Sequence, residues 1–131
     1  MIAIDTNVLV RLFVNDDADQ AKKAKALFDE YADQDDSLWI ADIVLIEMVW
    51  ALDRSYGRPR TEIAAALRAL AGNATVCMES PDCLAPAIAF YVLGPAGFAD
   101  CLLAVKAERA GCDALRSFDR KMRALPGVKL L

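Results

Sequence analysis

Apolar and polar positions follow two patterns along the chain, and each pattern predicts a different element. Short apolar runs bounded by turn residues predict strands. The predicted strands are residues 2–5, 37–40, 75–78 and 114–117, with residues 128–131 as a further edge strand. The first of them, Ile2-Ala3-Ile4-Asp5, is expected to be buried on both faces, as strands in parallel sheets are.

Longer stretches repeat their apolar residues every three or four positions and predict helices. The predicted helices cover residues 7–14, 16–31, 43–52, 62–70, 81–93 and 98–110, with one helical turn at residues 118–123. Asp42 and Thr61 are expected to cap the third and fourth helices. The third helix carries apolar residues on more than one face, so we expect it to be deeply buried.

Strands that alternate with helices indicate an α/β fold, with a parallel sheet covered by helices on both sides. The chain has 131 residues. This length predicts one domain spanning residues 1–131 that buries about two-thirds of its unfolded surface.

Composition removes several function classes. The chain has no histidine, and its four cysteines form no Cys-x-x-Cys pair, which argues against a zinc site and excludes histidine-based catalysis. We expect the thiols to be free. No apolar run reaches the length of a membrane span and no signal peptide precedes the first strand, so a cytoplasmic location is expected.

Charge is unevenly distributed around a net value of −4. Residues 54–68 hold four arginines against Glu62, and residues 116–131 hold five basic residues against Asp119. Such local basic patches allow contacts with nucleic acid in spite of the acidic total. The hydrophobic share of 56% indicates in addition an exposed apolar face for a partner.

Four acids lie among apolar residues or directly after a predicted strand. They are Asp5, Glu47, Asp100 and Asp119. Asp5 is the last residue of the first predicted strand, at the sheet edge where ligands bind in parallel α/β folds. A cluster of carboxylates without histidine or cysteine suits a hard cation such as Mg²⁺ or Mn²⁺.

Structural roles are an alternative for each acid taken singly. Asp5 and Asp119 are also typical helix-capping residues at strand-to-helix turns. Salt bridges would explain the other two, with Arg11 or Arg54 as the partner of Glu47 and Lys106 as the partner of Asp100.

At these positions the sequence resembles PIN-domain ribonucleases, in particular VapC-type toxins of bacterial toxin–antitoxin pairs. The resemblance lies in Asp5-Thr6-Asn7-Val8-Leu9-Val10-Arg11, in Glu47 with Val49-Trp50-Ala51-Leu52, in Phe98-Ala99-Asp100, in Ser117-Phe118-Asp119-Arg120-Lys121 and in Leu125-Pro126-Gly127-Val128. These motifs occur in the family's order and extend over essentially the whole chain.

The resemblance implies a PIN-like three-layer sandwich with a central, mainly parallel sheet of four to five strands flanked by helices. It carries over Asp5, Glu47, Asp100 and Asp119 as the catalytic acids that bind Mg²⁺ or Mn²⁺. Thr6 or Ser117 would be supporting hydroxyls, and Asn7 would brace the turn after the first strand. The implied reaction is the hydrolysis of an RNA phosphodiester by a water whose pKa the cation lowers, with Asp5 or Asp100 orienting or deprotonating that water.

RNA and protein partners follow from the same resemblance. Candidate phosphate contacts are Arg11, Arg54, Arg58, Arg60, Arg120 and Lys121, each of which is otherwise a residue of a solvated face. Candidate contacts with a cognate antitoxin are Leu9, Leu12, Phe13 and Trp50, with the core as the alternative for Phe13 and Trp50. A homodimer is expected, with the helix at residues 81–93 and its Ile88, Tyr91 and Val92 in the interface, and a higher assembly with the antitoxin.

Two other function classes remain open. One is a metal-dependent phosphatase or phosphotransferase with Asp5 as the nucleophile; such an enzyme would favour a second acid where the chain has Asn7. The other is a non-catalytic PIN-like RNA-binding module, which would be expected to lack one or more of the four acids. The identity of the RNA, of the antitoxin and of the general base, and the number of metal ions, are open as well.

Overall fold

A computed structural model describes all residues from Met1 to Leu131. The chain forms two compact units, Met1–Pro81 and Asp82–Leu131. No helix is both long enough and apolar enough to cross a membrane. All four cysteines are free.

The first unit holds three parallel strands and four helices. They are β1 (Ile2–Ala3), α1 (Thr6–Phe13), α2 (Ala18–Glu30), β2 (Leu38–Ile40), α3 (Asp42–Arg54), α4 (Arg60–Ala71) and β3 (Val76–Met78). The strands pair in the order β1-β2-β3, with Ile2 opposite Leu38 and Leu38 opposite Val76. The parallel register brings the carboxyl ends of β1, β2 and β3 to one edge of this sheet.

The second unit holds two helices and a two-stranded parallel ladder. Its elements are α5 (Pro81–Leu93), α6 (Phe98–Arg109), β4 (Leu115–Ser117), a 3₁₀ turn (Arg120–Met122) and β5 (Val128–Leu130). Ser117 lies opposite Leu130 in the ladder. The ring of Tyr91 near the end of α5 packs edge-to-face on Phe98 at the start of α6, with centroids 6.0 Å apart.

All five strands and all six helices occur close to their predicted positions, and the strand pairing is parallel. The α/β class predicted from the sequence is therefore confirmed. The predicted set of four to five strands occurs as a hydrogen-bonded group of three and a group of two. Each strand is only two or three residues long, so each carries few ladder hydrogen bonds.

The first strand is shorter and less buried than its apolar sequence predicts. Ile2 and Ala3 are exposed, whereas Ile4, just after the strand, is buried. The prediction of burial on both faces is wrong for β1, since it lies at the end of the order β1-β2-β3 and pairs with β2 alone in that sheet.

The two predicted helix caps are also corrected. Asp42 is the first residue of α3 and is buried, with Ala41 in the N-cap position. Its N–H donates to Glu79 Oε1 at 3.0 Å, and its Oδ2 accepts from the Ser80 hydroxyl at 2.7 Å. The third helix is thus fixed at its start by residues that follow β3. The fourth helix begins after Pro59, and Thr61 lies inside it.

Burial differs from the prediction on two helices. On α3, Ile43 is 63% exposed, so one side of that helix faces solvent in spite of its apolar sequence. On α5, Ile88 and Tyr91 are buried, which removes both from a dimer interface formed by surface side chains. Of the three residues named for that interface, Val92 alone is partly exposed.

Candidate functional site

Asp5 begins the candidate site in the first unit. Its backbone is extended (φ −82°, ψ 160°), and the residue forms the N-cap of α1. Asp5 Oδ1 accepts from the Thr6 N–H at 2.8 Å, whereas Oδ2 accepts no hydrogen bond. The carboxylate therefore caps the helix, as the structural alternative predicted, and keeps one oxygen free for a ligand.

Glu47 is held beside this turn by Thr6. The Thr6 hydroxyl donates to Glu47 Oε2 at 2.7 Å, which connects the first residue of α1 to the middle of α3. Glu47 is exposed, and its second oxygen accepts no hydrogen bond. Asn7, predicted to brace the turn, makes no side-chain hydrogen bond, and the carboxylate of Asp5 fills this role instead.

Asp100 and Asp119 form the acidic part of the second unit. Asp100 lies in the first turn of α6 and is partly buried. Burial raises the pKa of the Asp100 carboxyl above its ordinary value, and the negative charge of Asp119 raises this pKa further. The two carboxylates are therefore close enough to interact, and a cation would relieve their repulsion.

Asp119 is held in a fixed turn after β4. Its Oδ1 accepts from the Lys121 N–H at 2.9 Å, and its own N–H donates to Ser117 Oγ at 2.9 Å. The Ser117 hydroxyl also donates to the sulfur of Met122 at 3.4 Å. Ser117 thus supports the backbone that carries Asp119, and Asp119 Oδ2 accepts no hydrogen bond.

None of the four acids forms an ion pair. The suggested partners of Glu47 are engaged elsewhere, since Arg11 binds Asp16 and Arg54 lies 4.0 Å from Asp53. Within either unit the acids occur in pairs, and no group of three or more metal-ligating side chains lies together. The arrangement supplies oxygen donors of the type that Mg²⁺ and Mn²⁺ prefer.

Comparison with known proteins assigns the chain to a family. The model of the PIN domain matches residues 2–128 of the chain.

The chain belongs to the PIN domain family. It is also similar to a VapC ribonuclease from Aquifex aeolicus (strain VF5), with 26% identity over 125 residues, which cover 95% of this chain and 92% of the relative. The resemblance predicted from the sequence motifs is confirmed by both matches.

The basic residues of this PIN domain fall into two groups. The guanidinium of Arg11 is bound to the side chains of Asp16 and Gln20. The guanidinium of Arg58 lies 3.4 Å from the carboxylate of Glu62, four residues later in the sequence. Arg54, Arg120 and Lys121 are exposed, and the last two directly follow Asp119. Arg60 is the first residue of α4. Contact of any of these residues with RNA stays a prediction.

A cavity of about 300 Å³ opens in the first unit, and one of the residues predicted to bind an antitoxin, Phe13, lies in its wall. It is lined by Phe13, Leu52, Arg58, Glu62, Ile63, Ala65 and Ala66. Phe13 and Leu12 are partly exposed, and Trp50 is 63% exposed, so Trp50 is not a core residue. Leu9 is fully buried and cannot meet a partner, which corrects the prediction for that residue.

Arg11 belongs to a polar network that the sequence did not reveal. Its guanidinium donates to Asp16 at 2.6 Å, to Gln20 at 2.8 Å and to the Tyr56 hydroxyl at 3.3 Å. The Tyr56 hydroxyl donates in turn to Asp16 at 2.7 Å. The network connects α1 to the start of α2 and to the turn after α3, and so fixes the helix that carries Thr6.

Asp16→Asn is expected to lower the melting temperature by a few degrees at pH 7. The hydrogen bond from Tyr56, with the charge of Arg11, holds the pKa of Asp16 below its ordinary value. Stability from a lowered carboxyl pKa is present above the unfolded pKa and is lost as the pH falls through the folded pKa. Thermal unfolding measured from pH 7 to pH 2.5 should therefore show the difference in melting temperature between the wild type and Asp16→Asn become smaller in acid. A difference that does not change with pH would contradict this role. Asp19→Asn, on the exposed first turn of α2, is the control.

Proposed function

We propose that this PIN domain is a metal-dependent endoribonuclease that hydrolyses RNA phosphodiester bonds and acts as the toxin of a toxin–antitoxin pair. The observation that carries the proposal is the set of four acids without ion-pair partners. Asp5 and Asp119 are the N-caps of short helical elements, Asp100 lies in the first turn of α6, and Glu47 lies within α3. Membership of the PIN family and similarity to a VapC ribonuclease support it.

Asp5, Glu47, Asp100 and Asp119 are the proposed ligands of Mg²⁺ or Mn²⁺. The chemistry of the donors fits this role, since all are carboxylates, and three of them keep an oxygen that accepts no hydrogen bond. Burial raises the pKa of Asp100, and the negative charge of Asp119 adds to this effect, so a cation bound beside these two carboxylates would favour their charged forms. A divalent cation, when bound, lowers the pKa of a coordinated water.

The chain's own residues would orient the reaction. Thr6 holds Glu47 through the bond between its hydroxyl and Oε2, and Ser117 holds the turn that presents Asp119. Asp5 or Asp100 would orient or deprotonate the attacking water. Because water attacks instead of the ribose 2′-hydroxyl, the products would carry a 5′-phosphate and a 3′-hydroxyl.

The biological setting belongs to the same proposal. The whole chain, residues 1–131, would act as one domain in the cytoplasm, as a homodimer that a cognate antitoxin inhibits in a higher assembly. An amphipathic helix of the antitoxin would pack on the cavity beside Phe13, and a basic residue after it would pair with the acids. The apolar cavity lining and the exposed Trp50 support such a contact.

The test is an RNA cleavage assay with Mg²⁺, with Mn²⁺ and with EDTA, followed by analysis of the product ends. We expect cleavage with either cation, none with EDTA, and 5′-phosphate products. A phosphatase would instead hydrolyse an aryl phosphate and form a phosphorylated Asp5, and a binding module would retain RNA without cutting it. Cleavage that continues in EDTA, or 2′,3′-cyclic phosphate ends, would contradict the proposed mechanism.

A further inference from the structure

Phe118 is the most exposed of the large apolar side chains, with 82% of its surface accessible. It lies between β4 and the 3₁₀ turn, directly before Asp119. A phenyl ring that stays in water forgoes the favourable free energy of burying its apolar surface. The ring therefore stands out as a side chain without a role in the packing of the second unit.

The backbone around Phe118 is fixed on both sides. Ser117, before it, pairs with Leu130 in the β4–β5 ladder, and its carbonyl accepts from the Leu131 N–H at 2.9 Å. After it, the Asp119 N–H donates to Ser117 Oγ and the Asp119 carboxylate accepts from the Lys121 N–H, each at 2.9 Å. The position of the ring thus follows from a bonded turn, and it is displayed beside a candidate metal ligand.

The surroundings of the ring are strongly basic. Residues 116–123 contain Arg116, Arg120, Lys121 and Arg123 against the single acid Asp119. All four basic side chains are exposed, and none of them forms an ion pair. An exposed aromatic ring among cations is the combination by which proteins bind single-stranded nucleic acid, through base stacking and phosphate contacts.

We propose that Phe118 is a stacking platform for one base of single-stranded RNA, and that it positions the neighbouring phosphate at Asp119. This inference deepens the proposed ribonuclease function and rests on it. The platform fits an unpaired nucleotide, because a base within a duplex has no free face for the ring. Arg120 and Lys121 would contact the adjoining phosphates, which gives binding a salt dependence.

The experiment compares Phe118→Ala, Phe118→Leu and Phe118→Trp in steady-state cleavage of a single-stranded oligoribonucleotide with a mapped cut site. The alanine and leucine variants are expected to raise KM about tenfold with kcat within about threefold, and the tryptophan variant to resemble the wild type. Leu93→Ala removes another exposed apolar side chain of the same unit, 80% exposed, and serves as the control with unchanged KM.

An abasic substitution next to the cut site identifies the base. Abasic RNA should lower kcat/KM of the wild type about as much as Phe118→Ala does, and should cause no further loss in Phe118→Ala. The inference would be overturned if Phe118→Leu had the KM of the wild type. It would also be overturned if the abasic substitution lowered kcat/KM of Phe118→Ala by the same factor as that of the wild type. A KM that is unchanged in all variants, together with a lower mass in light scattering, would assign Phe118 to a protein interface and also overturn it.

Failure of the proposed ribonuclease function can be distinguished from failure of the stacking inference. If the wild type cleaved no RNA, the ribonuclease function would fail, and fluorescence of the indole introduced by Phe118→Trp would still test stacking. The same oligonucleotide is titrated into this variant and into the wild type, whose signal from Trp39 and Trp50 is the background. We expect additional quenching in the variant with single-stranded RNA and little with duplex RNA; no additional quenching with either would overturn the inference.

Discussion

Asp5→Asn and Asp100→Asn are each expected to reduce the rate of RNA cleavage by about a thousandfold or more. Each change replaces a carboxylate oxygen by an amide and removes one negative charge from the proposed metal ligands. Neither residue supports the core, since Asp5 is exposed and Asp100 is only partly buried. The loss should therefore appear in kcat at saturating Mg²⁺, with a far-ultraviolet circular dichroism spectrum that does not change.

The Asp100→Asn substitution also has an expected effect on thermal stability. In metal-free buffer at pH 7, Asp100→Asn is expected to melt at the same temperature as the wild type or higher. Burial and Asp119 raise the pKa of the Asp100 carboxyl, so the folded state holds its proton more tightly than the unfolded state. Wild-type stability should accordingly fall as the pH rises from the unfolded pKa to the folded pKa, and the variant should lack this contribution.

Matched controls separate the metal site from charge in general. Asp33→Asn and Asp113→Asn remove exposed acids, one from each unit, and should leave both cleavage and melting temperature unchanged. Wild-type cleavage by Asp5→Asn would show that Asp5 is not a catalytic ligand. An unfolded Asp100→Asn would show instead that the carboxylate has a structural role.

Substitutions at the cavity beside Phe13 are expected to weaken antitoxin binding about a hundredfold while RNA cleavage is retained. Phe13→Asp places a charge in the wall of the cavity, and Leu12→Asp places one on the partly exposed residue before it. A docked antitoxin helix would desolvate either charge without supplying a partner. Ala65→Arg offers a variant that spares the core, because Ala65 is exposed on α4 and lines the cavity. Its side chain would occupy the space that the antitoxin helix needs.

Ala69→Arg is the matched control for this surface. Ala69 is exposed one turn further along α4 and does not line the cavity, so its substitution should leave the antitoxin Kd unchanged. The Kd is measured by calorimetry with the proposed cognate antitoxin, and cleavage is measured on the free protein. Unchanged binding by Ala65→Arg and Phe13→Asp would show that the antitoxin docks elsewhere. Loss of folding in both aspartate variants would assign Leu12 and Phe13 to the core.

Local patterns predicted most of the fold. The apolar runs at residues 38–40 and 76–78 became strands, and α5 has the bounds that its sequence predicts. The N-cap of α2 is a local feature of the same kind, because the side chain of Asp17 accepts a hydrogen bond from the backbone N–H of Gln20, three residues later. Such features depend on neighbours in sequence, and the sequence displays them directly.

Contacts over long sequence separations could not be predicted in this way. Glu79 bonds to the start of α3 from 37 residues away, and Tyr56 bonds to Asp16 across 40 residues. The exposure of Ile43 and Phe118 has the same cause, since an apolar residue is buried only where another element covers it. A signal for Phe118 was present, however, in its position directly before a candidate ligand.

The four acids were predicted from their apolar surroundings and from the family motifs, and hydrogen bonds hold three of them, Asp5, Glu47 and Asp119, in place. The family motif also indicated Thr6 as a supporting hydroxyl, and in the structure this hydroxyl donates to Glu47. The less accurate predictions were those that placed a particular side chain on the exposed or the buried face of its helix. Leu9, Ile88 and Tyr91 lie in apolar stretches whose buried and exposed faces the sequence alone did not distinguish.

The most direct test of the proposed metal site is Mn²⁺ binding measured by isothermal titration calorimetry on the wild type, Asp5→Asn and Asp100→Asn. If Asp5 and Asp100 are both ligands of the catalytic cation, the wild type should bind Mn²⁺ and each variant should lose at least about tenfold in affinity. Binding by either variant with the affinity of the wild type would contradict the proposal.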